Sequence, residues 1–375
     1  MAPDPRPGRA DHLGDRRRRE PHGRVRRLGL APGRERNRTR VARGRGDSRG
    51  PRGQERPHDH GRRRRDGGRA AAPDDENGPV IRKTALFAVL ALGLAWLVAV
   101  PLWLDPGNAA LAGLLVSLMM FTPAIAVAIV ALVTRQKGFW RFVGAWPMVP
   151  IGRFVGMCVL GLLGPIALVI AGVAAVSALG LVELDIEHLS GFAAQLAAAA
   201  PGKDMPDPHV LAAVQFIAIP VAAIIPNGFL AFGEELAWRG WLTSALRPYG
   251  VWPTLLITGV LWGLWHAPVI LLGHNYGRTD VWGVLLMVGA CIAWGAFFGW
   301  LRLRSRSLWP AVFAHGSLNA SAGLIMVVLA ATSPYRPEIA GPMGIVMWIL
   351  LAALVGILAL CGQFRPAKLV AQSTP

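Results

Sequence analysis

The chain has 375 residues and a formal net charge of +17, and that charge is unevenly placed. Residues 1–79 hold 23 Arg, no Lys and 12 Asp and Glu, with no Phe, Tyr, Trp or Ile, whereas residues 80–375 hold 12 Arg, 4 Lys and 10 acids among long apolar runs. The basic balance therefore says little about the folded part, and the apolar runs exclude a soluble globular fold for it: they describe an all-α, polytopic membrane protein.

The first 79 residues are Arg-, Gly- and Pro-rich and carry no aromatic side chain, so they cannot bury a core and are expected to be disordered. Their charge alone suits nucleic acid or anionic lipid, but aromatic interleaving and a recognisable binding fold are missing, and no nucleic-acid partner is expected. Arginine without lysine is what GC-rich DNA gives when translated upstream of a start or in an unused frame, so the biological start is expected near Val80. The segment has no apolar core and is not a secretory signal.

From residue 80 the membrane domain runs to 375. Eight apolar segments can be drawn at about 84–104, 109–133, 154–182, 210–233, 252–272, 281–301, 308–331 and 342–361, each near or above the ~20 residues that span a bilayer. Basic residues set the orientation. With the N-terminus inside, the inner side holds Arg82, Lys83, Arg135, Lys137, Arg141, Arg153, Arg247, Arg302, Arg304, Arg306, Arg365 and Lys368, and the outer side only Lys203, Arg278 and Arg336. Both ends of the membrane domain are therefore expected on the cytoplasmic face of what reads as a bacterial plasma membrane. The cysteines, Cys158, Cys291 and Cys361, lie far apart inside apolar runs; they offer neither metal spacing nor a disulfide framework and read as small buried hydrophobes.

The fourth segment is unusual. Val210 to Arg247 is too long for one straight span, and Pro226-Asn227-Gly228 interrupts it, which predicts a kink whose irregular backbone faces protein or water rather than lipid. Just beyond it stand Glu234, Glu235 and Arg239. Charge within a bilayer is costly and usually functional. On a helix Glu235 and Arg239 share a face and neutralise each other, while Glu234 points about 100° away and stays free for chemistry.

Two histidines lie inside later segments. His266 follows Trp262 by four, and His315 precedes Asn319 by four, so each pair shares a helical face. Counted from the inner segment ends at 1.5 Å per residue, Glu234 and His266 lie about 20 Å deep, with His315 and Asn319 at about 14 and 20 Å. Segments four, five and seven thus bring polar groups to one level. Taken singly, a buried histidine or a Glu–Arg pair also serves packing, as do Gly259, Gly263, Gly295 and Gly299 with their small-xxx-small spacing; at one depth together they describe a site. His188, His209 and His274 sit in or beside outer loops and read as solvated.

Glu234-Glu235-xxx-Arg239, then Trp262-xxx-His266, then His315-xxx-Asn319 resembles the CPBP (CAAX protease and bacteriocin-processing, or Abi) family of intramembrane proteases, over roughly residues 210–330 within a frame of about eight helices. Trp262 stands where that family usually has Phe. The resemblance implies hydrolysis of a peptide bond in a peptide or protein substrate. Glu234 and His266 would activate a water, His315 and Asn319 would stabilise the oxyanion, and Glu235 with Arg239 would hold the site together. A carboxylate base and hydrogen-bond donors work well in a cavity that excludes bulk water. The family is often called metalloprotease, and Glu234, His266 and His315 are the candidate zinc ligands. His-Glu-x-x-His is absent, however, and a metal-free glutamate mechanism is the reading adopted. The rival readings are a proton-coupled transporter, which uses intramembrane Glu, Arg and His, and a non-catalytic scaffold or bacteriocin-immunity protein, which would tolerate loss of Glu234.

Overall fold

The computed structural model describes residues 78–366 together with Lys368 and Leu369. The expectations for the arm, and with it for the start of the chain, fall outside these residues but for Gly78 and Pro79. Among the described residues there are helices and no strand; one isolated antiparallel bridge joins Leu184 to Leu329.

Apolar composition makes the helices and proline punctuates them. Helix α1 is Gly78–Leu104. Asn108 caps α2, Ala109–Met119, by accepting from the Leu111 amide at 3.0 Å, and α3, Thr122–Val133, restarts with Pro123 in its first turn. After the short α4, Phe139–Phe142, come α5, Ile151–Ala178, and α6, Ser190–Ala199, which packs on the later helix Leu324–Val328. The loop between α5 and α6 is tied down by the Asp185 amide, which donates to the Val328 carbonyl at 2.8 Å. The Asp185 carboxylate accepts from the Ser190 and His188 amides, and hydrogen bonds from these residues pull its pKa down to about 2.

The fourth segment breaks where proline requires it. Helix α7, Pro208–Ile224, stops before Pro226, and α8, Pro226–Glu235, begins there. Pro226 has no N–H to give the carbonyl four residues back, that of Ala222; the Asn227 side chain donates to it instead at 3.1 Å. The chain then winds as a π-helix over Leu236–Leu242 before α9, Thr243–Leu246. Next are α10, Val251–Trp265; α11, Ala267–Ile270; α12, Val281–Ser305; α13, Trp309–Ser321; α14, Leu324–Val328; α15, Pro337–Ala340; and α16, Ile345–Leu360.

Seven stretches among the described residues are long and apolar enough to cross a membrane, which makes the chain an all-α integral membrane protein. The fifth expected span is the exception: α10 has only 15 residues, because Pro268 cannot donate to the Leu264 carbonyl and the helix ends at Trp265. Seven full spans and one short helix therefore replace the eight expected.

Close approach positions the helices. Helix α10 runs along α12, and α13 runs along α5 while crossing α7 and α8. A Cβ on Gly259 would stand 2.7 Å from the Ile292 Cα, and one on Gly263 would stand 2.9 Å from the Val288 amide nitrogen. These two glycines are the surface on which α10 and α12 touch, and helices in lipid associate through such packing. The core around them is aromatic: Trp238, Trp241, Trp262, Trp265, Trp294 and Phe298 are fully buried. Trp241 Nε1 donates to Gln136 Oε1 at 2.9 Å and Trp309 Nε1 to the Ala145 carbonyl at 3.1 Å, fastening the α3–α5 connection to the same core. Cys158 and Cys291 are buried as expected, but Cys361 is exposed, because it lies one residue past the end of α16.

Candidate active site

Glu235 ends α8, Arg239 lies in the π-helical turn that follows, and His315 sits midway along α13. All three are buried. Glu235 Oε1 accepts from Arg239 Nη1 at 2.6 Å and from His315 Nδ1 at 2.9 Å. The four-residue spacing of the Glu–Arg pair does what it implied, and the acid also reaches across to a third helix. The Arg239 guanidinium lies 4.2 Å from the centre of the Trp262 ring and 5.2 Å from that of Phe298, so aromatic faces from α10 and α12 flank the cation. Gly295 leaves room beside it: a Cβ there would come within 3.2 Å of Arg239 Nη2.

Glu234 is 2% exposed and turns away from that pair, as its helical position requires. Its Oε2 accepts from the Trp262 indole Nε1 at 2.6 Å, and its Oε1 has no hydrogen bond among the described residues. His266 follows the end of α10 and is half-buried. Its Nδ1 lies 2.8 Å from the Trp262 carbonyl, an acceptor, so Nδ1 carries the proton and Nε2 presents a lone pair. Cys291 Sγ stands 3.9 Å from the same Nδ1. Asn319 is one turn beyond His315 on α13; it is exposed and its amide carries no hydrogen bond to the described residues.

Glu234, Arg239, His266 and His315 thus gather around Trp262, Glu235 joins them through Arg239 and His315, and Asn319 is the exposed member. The sequence placed the site between its fourth, fifth and seventh segments, and the sixth joins them through α12. Two contributors were missed. Trp262 stands where the resembled family usually has Phe, and its N–H touches Glu234, a donor that a phenyl ring does not have. Arg302 was counted among the inner loop cations, but it is 2% exposed and donates from Nε to the Arg239 carbonyl at 3.1 Å and from Nη2 to Ser244 Oγ at 3.3 Å. Its signal was positional, since Gly295, Gly299 and Arg302 share one face of α12. Without it the basic residues stand eleven to three.

Among the described residues no three His, Cys, Asp or Glu side chains converge as a metal-holding group. Glu234 Oε2, His266 Nδ1 and His315 Nδ1 are engaged by Trp262 and Glu235, which leaves Glu234 Oε1, His266 Nε2 and His315 Nε2 as the atoms that would hold a metal.

Residues 212–321 match the family model described as type II CAAX prenyl endopeptidase Rce1-like. The chain is also similar to CAAX prenyl protease 2 of Methanococcus maripaludis, 27% identical over 100 residues, a stretch that is 25% of this chain and 37% of that protein. The chain thus spans little more than a third of the length of the curated relative it matches. The resemblance to CPBP-type intramembrane proteases is borne out over this core.

Proposed function

We propose that this Rce1-like core works as an intramembrane endopeptidase with a glutamate base. The observation that carries the reading is the division of labour between adjacent carboxylates. Glu235 is tied through Oε1 to both Arg239 and His315 while its Oε2 is buried without a partner, whereas Glu234 is held only through Oε2, by the uncharged Trp262 N–H, and keeps Oε1 for a water. Glu234 Oε1 and the His266 Nε2 lone pair are the two proton acceptors of the site. A water between them loses a proton as its oxygen bonds to the peptide carbonyl carbon. The proton is handed on to the departing amine as the C–N bond breaks. For His315 to offer an N–H to the oxyanion from Nε2 while donating from Nδ1, it must hold both protons, and Glu235 is its counter-charge. Asn319, unengaged one turn away, supplies the second donor. No step passes through a metal, and both ends of the membrane domain are assigned to the cytoplasmic side.

The test compares peptide termini in membranes from cells carrying the wild type or Glu234→Ala at matched levels. Termini present only with the wild type are expected, and they name the substrates. An unchanged set of termini alongside a transport or immunity phenotype would favour the rivals. Chelators are expected to leave cleavage intact; stoichiometric zinc that departs together with activity would overturn the metal-free reading.

A further inference from the structure

The inference here rests on Glu234 being the base. We infer that the indole N–H of Trp262 is a positioning group for that base, holding Glu234 by Oε2 so that Oε1 alone is presented to the water and the scissile carbonyl.

The geometry supports a dedicated role for this one N–H. The 2.6 Å bond from Nε1 to Glu234 Oε2 runs between side chains that are 1% and 2% exposed, so bulk water does not compete for either partner. The donor is itself fixed from several sides. One ring face carries the Arg239 guanidinium at 4.2 Å, and the His315 ring meets it edge-on at 5.2 Å between centres. The Trp262 carbonyl takes the His266 Nδ1 proton. The next residue, Gly263, sits against the Val288 backbone, so α10 and α12 are in close contact beside the indole. Trp262 therefore touches Arg239, His266 and His315 as well as Glu234, and its only polar side-chain atom is spent on Glu234. A phenyl ring would keep the stacking and lose the donor, leaving a buried carboxylate oxygen without a partner and free to choose another rotamer.

The test removes the N–H and little else. The full chain is made with benzothienylalanine at position 262, a Trp isostere whose ring sulfur replaces the N–H, with Trp262→Phe as a second variant. Both are assayed in detergent against a quenched peptide spanning a terminus that the wild type generates. For the isostere, kcat is expected to fall about tenfold, the scale of a lost hydrogen bond to a charged group, with KM within about twofold of wild type and a folded protein whose thermal midpoint is only somewhat lower. In protein labelled with 15N-tryptophan, the indole N–H resonance that disappears in Trp262→Phe is expected far downfield and to move in Glu234→Gln. An isostere with wild-type kcat overturns the positioning role, as does an indole resonance indifferent to Glu234→Gln. A wild type that cleaves no peptide overturns the endopeptidase reading and the positioning role with it. The resonance still reports separately whether the contact exists.

Discussion

Glu234→Gln is expected to lower kcat/KM for peptide cleavage by about 10²–10⁴-fold, the usual contribution of a general base. The effect should be chemical rather than structural. A Gln side chain keeps an oxygen that accepts from Trp262 Nε1, so the 2.6 Å contact survives while the proton acceptor is gone. His266→Ala should fall to a similar level, and the double variant should be little worse than either single one, because the two residues act on one water. The measurement is single-turnover cleavage by purified protein, with thermal unfolding as the control. A Glu234→Gln enzyme that retains more than a tenth of wild-type cleavage would sink the assignment.

Arg239→Met is expected to destabilise the fold by about 3–5 kcal/mol, the cost of stranding a buried charge by removing its partner. Arg239 and Glu235 are both 0% exposed, and the acid would keep only His315. The double variant Glu235→Gln/Arg239→Met should recover part of the loss, because the stranded charge goes with the pair. Reversible unfolding in mixed micelles reads the wild type, Glu235→Gln, Arg239→Met and the double variant. Additive losses would mean that the pair is not coupled and that Arg239 acts mainly through its stacking on Trp262 and Phe298. Neither Arg239→Met nor the double variant is expected to cleave at the wild-type rate, since Arg239→Met loosens the packing around Trp262 and the double variant also removes the carboxylate that faces His315.

The sequence announced the site more clearly than the architecture. Charged residues in apolar runs are rare and strongly marked, so Glu234, Glu235, Arg239, His266 and His315 stood out, and helical spacing alone paired Glu235 with Arg239. The break at Pro226 was equally legible, because a missing N–H is a local fact. What escaped detection depends on neighbours distant in sequence. His315 reaches Glu235 across 80 positions, and the Trp262 N–H reaches Glu234 across 28. No periodicity encodes such a contact, and an indole in an apolar run looks like any other large hydrophobe. Arg302 was misplaced for a related reason: a cation at the end of a span normally reaches for water, and only the packed structure reveals the carbonyl it binds. The length of α10 was overestimated because hydropathy continues through Pro268 although the helix does not.

The π-helical winding at Leu236–Leu242 makes this stretch unusually sensitive to chain length. A turn closed over five residues holds one more residue than an α-turn, so deleting one residue here would let the ladder close as ordinary α-helix. The helix would survive such a deletion, but its register would not. Arg239, placed four residues after Glu235, and Trp241, which holds Gln136, would be swung onto different faces. Insertions and deletions that the membrane span itself tolerates would therefore uncouple the ion pair from its aromatic cage. The spacing from Glu234 to Trp241 is in effect a fixed-length ruler within a span whose length is otherwise free.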